Sequence, residues 1–412
     1  MHQLGATVLE QLLSGDTGHH GQHVDCRSGH DATYVSDRPK VIESVLGPVN
    51  LSRAYYHCAT CHTGVVPRDD ALGVAGTTLS PGLRAMVDRV GTVAPFRKGA
   101  ELLDELAGVH VDAKRIGRCA EADGQALQAI AERAAAAVTQ GALVPLGTSE
   151  PVAKLYVVLD GTGVPMVPAE LADRTGKAPD GRAHTREAKL GVFFTQSELD
   201  DEGFAVRDPD SSTYVATLEG VEDFGPLVKA EALRRGSAHA DELVVLGDGA
   251  PWIWNLAGGL FGEATEIVDF YHAREHLHDL GKLLGDTLGE RHGAWLGQRL
   301  DELDGGDIEG LIDAARALEL SGALATQVEQ ALGYFETNIE RMRYAKFREL
   351  GHFVGSGAVE SGCKAVIAQR LKLSGMRWSA PGASGVMTLR CQDASGRWDE
   401  IWACLRNQTS VA

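Results

Sequence analysis

The sequence predicts an α/β domain interrupted by an all-helical insertion and preceded by a small cysteine-bearing region and a helical region. Two short apolar runs, Leu155 to Leu159 and Leu243 to Leu246, lead into aspartates followed by glycine, at Asp160-Gly161 and Asp248-Gly249. Strand and helix patterns alternate between residues 154 and 269, whereas residues 271 to 348 read as mostly helical and acidic. A Cys-x-x-Cys pair, Cys58 and Cys61, lies far upstream.

With 412 residues and 44% hydrophobic content, the chain can bury a large core, enough for two or three domains. No apolar run reaches the roughly 18 residues of a membrane span, and the N-terminus lacks the order of a secretory signal, so a cytoplasmic location without membrane partners is expected. Seven cysteines, an odd number with one close pair, do not form a disulfide framework. The net charge of -18 argues against nucleic acid, but its distribution softens that objection. Residues 1–150 carry 13 basic and 17 acidic side chains, residues 151–339 carry 15 and 34, and residues 340–412 carry 11 and 6. The terminal segment is therefore basic.

In chain order, Lys40 to Val45 and Val49 to Tyr56 read as strands leading into the Cys58/Cys61 knuckle, half of a zinc ribbon. Cys26 and His30 offer the other half, giving a Cys₃His set for a structural Zn²⁺; His19, His20 and His23 are competing ligands, and unliganded thiols are the plainer reading. Residues 78 to 140 are helical by pattern. Ser80 caps a helix with Pro81 at its first position, a second helix runs from about Phe96 to Ala107 and ends at Gly108, and Asp112 caps a third. Helix, glycine turn, helix fits a helix-turn-helix, with Lys114, Arg115 and Arg118 facing DNA; a plain helical bundle fits as well. Gly147-Thr148-Ser149 marks a boundary.

Lys154 to Asp160, Val164 to Val167 and Ala188 to Thr195 read as three antiparallel strands, the first two joined by a Gly161-Thr162-Gly163 turn. A helix near Pro226 to Arg235, a strand from Leu243 to Leu246, a helix from Trp252 to Leu260 and a strand from Thr265 to Val268 follow. Glycines recur at 281, 285, 289, 293 and 297, a row that needs a close-packed neighbour unless the spacing is chance. The last predicted helix begins near Ala358 and runs through Arg370.

Two carboxylates at the ends of buried strands and a third, Glu360, opening a later helix can converge and hold divalent metal through oxygen. Hard oxygen ligands suit two Mg²⁺ or Mn²⁺ ions. Lys364, Arg370, Lys372 and Arg377 form a basic tract able to neutralise phosphates, or else a solvated helix face. Trp252 and Trp254 read as core more readily than as base-stacking residues.

The stretches Asp160-Gly161-Thr162-Gly163-Val164-Pro165, Gly247 to Trp254, Asp269-Phe270-Tyr271-His272, Gly355 to Lys364 and Gly375-Met376-Arg377-Trp378-Ser379 together resemble a DDE transposase of a bacterial insertion sequence, of the Kra-type group and more distantly Mutator-like. The resemblance implies an α/β RNase H-like catalytic domain over 148–272 and 349–412 with a helical insertion at 273–348. It is preceded by a zinc-ribbon-like region at 1–76 and a helix-turn-helix-like region at 77–147. It further implies Asp160, Asp248 and Glu360 as metal ligands and His272 as a contact to DNA or the scissile phosphate. Transposon terminal inverted repeats and target DNA are the implied partners, with at least a homodimer and a nucleoid-associated location. A structure-selective nuclease without strand transfer and a domesticated DNA-binding protein are alternatives. A zinc hydrolase using His272 and His276, spaced i, i+4, is a remoter one, because Glu275 is misplaced for a catalytic base.

Overall fold

The computed structural model describes residues 2–142, 151–172, 174, 176, 183–355 and 357–409. Contacts divide the chain into two compact units, Met1–Gln128 with Pro381–Arg390 and Arg397–Ala412, and Ala129–Ala380 with Cys391–Gly396. The C-terminal helices are therefore shared between the units, whereas the sequence assigned all of 349–412 to the α/β domain. The expected boundary at Gly147-Thr148-Ser149 lies outside the described residues.

In the first unit, α1 (His2–Leu13) packs Ala6, Leu9 and Leu13 against Ile42, Val49 and Leu51 of an antiparallel sheet. That sheet orders β1 (His23–Asp25), β2 (Asp31–Ser44), β3 (Gly47–Cys58) and β4 (Thr63–Val65) side by side. β2 and β3 form a long hairpin whose two-residue loop, Val45-Leu46, ends at Gly47 with φ 115°, a conformation that favours glycine. After the short α2 (Pro67–Ala71) come α3 (Pro81–Val93), α4 (Phe96–Ala107) and α5 (Ala113–Thr139). The predicted caps are present: Ser80 accepts the Leu83 N–H at 3.3 Å, Asp112 accepts that of Arg115 at 3.0 Å, and Gly108 ends α4 in the left-handed region. Leu83, Val87, Leu103 and Ile116 close a core among these helices.

The second unit holds a mixed five-stranded sheet. Its first strand, β5 (Val152–Pro165), runs straight through Asp160-Gly161-Thr162-Gly163 without turning and pairs residue for residue with β6 (Thr185–Gln196). The expected hairpin at that sequence is thus corrected. Neither glycine adopts positive φ; a Cβ at Gly161 would lie 2.5 Å from the Glu187 carboxylate, and one at Gly163 would lie 2.8 Å from the Thr185 hydroxyl. The glycines make room for β6 side chains and do not reverse the chain. The third antiparallel strand comes later: after a small ribbon, β7 (Glu198–Leu199) with β8 (Ala205–Val206), β9 (Thr213–Thr217) pairs with β6.

Then α6 (Val221–Arg234), β10 (Ala240–Gly247), α7 (Pro251–Leu260) and β11 (Thr265–Val268) follow, with β10 parallel to both β5 and β11. The sheet order is β11-β10-β5-β6-β9. Its central strands are buried from Leu155 to Leu159 and from Val244 to Leu246, as uniformly apolar strands covered on both faces should be.

Five helices follow: α8 (Phe270–Leu288), α9 (His292–Gly305), α10 (Ile308–Arg316), α11 (Gly322–Thr337) and α12 (Tyr344–Glu349). Of the recurring glycines only Gly281 meets a neighbour, Leu296, while Gly285, Gly289, Gly293 and Gly297 face open space, so the row is no packing stripe. The chain continues through α13 (Gly357–Gly362), a π-helical turn over Cys363–Ala368, and α14 (Gln369–Leu371). It ends in α15 (Ala380–Ala394) and α16 (Glu400–Thr409). No described helix is long and apolar enough to cross a membrane.

Candidate functional site

β5 and β10 place two carboxylates together. Val158 lies opposite Leu246 across these parallel strands, so Asp160, two residues further along β5, and Asp248, the residue that follows the end of β10 at Gly247, come near enough for the charge of Asp248 to act on Asp160. At Asp248 the chain leaves the sheet. Its carboxylate accepts the Ala250 N–H at 2.9 Å, Gly249 takes φ 98°, and α7 begins at Pro251. Tyr334 of α11 donates its hydroxyl to the Asp248 carbonyl at 3.0 Å, and a Cβ at Gly249 would lie 2.5 Å from that ring.

Asp160 is held at both oxygens. Its Oδ1 accepts the Gly161 N–H at 2.6 Å, and its Oδ2 lies 3.2 Å from the Cys363 thiol. Burial pushes its carboxyl above the usual range; the bonds from Cys363 and Gly161 oppose the rise and the charge of Asp248 adds to it. Cys363 is itself raised, by burial and then by the charge of Asp160. Glu360, one helical turn earlier, is exposed and near enough to act on Cys363 electrostatically. Among the described residues, Asp160, Asp248 and Glu360 do not close into a cluster with all donor atoms within 4.8 Å. The first two are brought together and the third stands nearby.

His272 lies in the first turn of α8. Asp269, 1% exposed, caps that helix by accepting the His272 N–H at 2.8 Å and also contacts the ring Nδ1 at 3.1 Å. The Asp269 bond raises His272 to about 9 against the effect of burial, with the charges of Asp269, Asp248 and Glu275 adding to the rise. Near neutral pH it is an imidazolium beside two carboxylates, its Nε2–H left as a cationic donor. His276 is lowered by burial and stacks on Tyr334 with ring centroids 3.8 Å apart. Among the described residues neither histidine belongs to a group of three or more side chains that could hold a metal ion.

The basic tract divides by location. Lys364 and Arg377 are exposed, and Lys372 donates to the Thr162 hydroxyl. Arg370 corrects the expectation: it is fully buried, its guanidinium 5.1 Å from the Trp378 ring centroid and its Nη1 3.6 Å from the Met376 sulfur, out of reach of a phosphate. Trp378 exchanges backbone hydrogen bonds with Pro165 and Val167 and donates its indole N–H to the Leu371 carbonyl. The Gly375 to Trp378 motif therefore ties the end of the glutamate helix to the end of β5. Trp254 is buried and Trp252 half-buried, as core tryptophans are.

The first unit carries a separate candidate metal site. Cys26 and His30 flank the turn between β1 and β2, Cys58 ends β3, and Cys61 precedes β4; their donor atoms all lie within 4.8 Å of one another. Cys26 and Cys61 sulfurs are 3.8 Å apart, the edge expected of a tetrahedron with Zn–S of about 2.3 Å. The Nδ1 of His30 is 3.9 Å from Cys26 Sγ and 3.1 Å from Cys61 Sγ. Burial acts to raise the Cys26 thiol, but backbone hydrogen bonds at His30 and Ser28 and the thiols of Cys58 and Cys61 outweigh it and bring it to about 6. Three sulfurs and one imidazole suit zinc, and this cluster can hold it. His19 instead packs edge-on against Tyr34, with centroids 4.6 Å apart.

At the start of α5, Lys114 and Arg118 are exposed, whereas Arg115 grips both oxygens of Glu43 at 2.6 and 2.7 Å and so joins the helix to the β2–β3 hairpin. A cluster missed by the sequence reading lies between α3 and α5. Asp88 is fully buried beside Cys119 and Asp123, and Arg84 forks onto Asp123. Burial, and next the charge of Asp123, push the Asp88 carboxyl well above its usual range. The i, i+4 spacings of Arg84 with Asp88 and of Cys119 with Asp123 were the available signal.

No protein-family model matches this chain, and no curated protein matches it.

Proposed function

We propose that the chain is a metal-dependent DNA transposase that cleaves transposon ends and joins them to target DNA. The observation that carries this reading is the nearness of Asp160 on β5 to Asp248, the residue that follows the neighbouring parallel strand β10, with the helical segment of Glu360 touching Asp160 through Cys363. The sheet order, three antiparallel strands followed by two parallel ones beside the first, supports an RNase H-like domain.

In this reading Asp160, Asp248 and Glu360 hold two Mg²⁺ or Mn²⁺ ions, which when bound activate the attacking water or 3′-hydroxyl and stabilise the leaving oxygen. His272, fixed by Asp269, presents a cationic N–H to a phosphate oxygen. Lys364, Lys372 and Arg377 neutralise flanking phosphates. The zinc ribbon and the α3–α5 helices, with Lys114 and Arg118 outward, bind DNA ends, and synapsis of two ends requires at least a dimer.

The test is Mg²⁺-dependent cleavage of supercoiled plasmid carrying the ends that flank the gene, followed by joining of the cut end to a second DNA. Glu360→Ala is expected to lose cleavage while retaining fold and DNA binding. Substantial cleavage by that variant sinks the assignment of Glu360; cleavage without joining by the parent protein leaves a nuclease.

A further inference from the structure

Resting on the reading of Asp160 as a metal ligand, we infer that Cys363 is a positioning residue that fixes the Asp160 carboxylate for metal binding. The carboxylate of Asp160, inside β5, can rotate about its terminal torsion, and a metal ligand serves only in a narrow range of that rotation. Here the rotation is stopped from both sides. Oδ1 is tied to the Gly161 N–H at 2.6 Å and Oδ2 to the Cys363 thiol at 3.2 Å. Each bond uses one lone pair of its oxygen and leaves another for a cation.

The helix that carries Glu360 is built to deliver this contact. Glu360 and Cys363 are three residues apart, a spacing that puts them on one helix face. At Cys363 the helix widens into a π-turn, the local distortion that recurs at functional sites. Gly362 supplies the close approach: a Cβ there would lie 2.9 Å from Val192 and 3.0 Å from Tyr214, so any larger residue would push the helix off β6. Downstream, Trp378 and Lys372 fasten the same segment to β5. The thiol is thus pressed against the carboxylate by packing on both sides.

Outer hydrogen-bond partners of metal ligands typically contribute 10- to 100-fold in metal affinity. The experiment is Mn²⁺ binding by the full-length, zinc-loaded protein, measured without DNA for Cys363→Ala, Cys363→Val, Cys363→Ser and Asp160→Asn. Alanine and valine, which donate nothing, are expected to weaken Mn²⁺ binding by about 10- to 100-fold. Serine keeps a donor and is expected to bind close to the parent. Valine fills the space alanine leaves, so the pair remains informative if one of them folds poorly. Parent-like binding by alanine or valine overturns the inference, as does serine binding as weakly as alanine, because packing and not donation would then matter. If Asp160→Asn loses Mn²⁺ while the Cys363 variants keep it, only the positioning role falls. If Asp160→Asn also binds normally, the metal reading of Asp160 falls with it.

Discussion

Replacing Asp269 by Asn tests the electrostatic core of the candidate site. The substitution keeps the size and can still accept at the helix cap, but removes the buried charge that holds His272 protonated. In the parent, His272 is raised from 6.5 to about 9. At about 1.4 kcal/mol per unit that shift corresponds to roughly 3 kcal/mol, but the His272 side chain is 43% exposed, so solvent screening reduces the expected effect to about 1–1.5 kcal/mol. The sign follows from the direction. A histidine raised in the folded state contributes its full stability below pH 6.5 and loses it as pH rises through 9. Thermal unfolding of the parent should therefore weaken between pH 6.5 and 9, a slope that Asp269→Asn should flatten. NMR titration of the His272 ring should show its midpoint fall by at least a unit in the variant. A parent His272 titrating near 6.5, or a midpoint unmoved by Asp269→Asn, refutes the reasoning.

Zinc content near one per chain is expected in the parent and should be lost in Cys58→Ser, with proteolysis opening the β1–β4 region because a structural metal stabilises its small domain directly; unchanged zinc would move the ligand role elsewhere. Asp88→Asn should stabilise the protein increasingly as pH rises above 3.8, since the raised Asp88 carboxyl loses stability from its unfolded value upward, at up to about 1.4 kcal/mol per pH unit until it ionises. Equal pH profiles for variant and parent would show that Asp88 titrates normally. Lys364→Ala should lower the salt slope of DNA binding by about 0.9, whereas Arg370→Ala should leave that slope alone and cost about 3 kcal/mol of stability, as loss of a large buried side chain does. The reverse pattern would restore Arg370 to the DNA surface.

Local chemistry made much of this protein legible in its sequence. Apolar runs ending at aspartate gave β5 and β10, serine and aspartate caps gave α3 and α5, and the Cys-x-x-Cys spacing gave one side of the ribbon cluster, because each depends on residues a few positions apart. What failed depended on partners distant in the chain. Asp160-Gly161-Thr162-Gly163 has the composition of a turn, but pairing with residues 187–190 keeps it extended. Arg370 looks like a surface cation, but it is buried against Trp378, which backbone hydrogen bonds to Pro165 and Val167, about 200 positions earlier, hold in place. For the cysteine cluster the sequence named His30 and left His19, His20 and His23 in competition, and the pairing of β1 with β2 places His30 beside the three cysteines. The contact between Cys363 and Asp160 spans 203 positions. The sequence by itself determined which elements form and which residue types carry chemistry. Only the tertiary structure decided which of them meet, because burial, strand register and the loss of solvent around a charge arise from long-range packing that no local window contains.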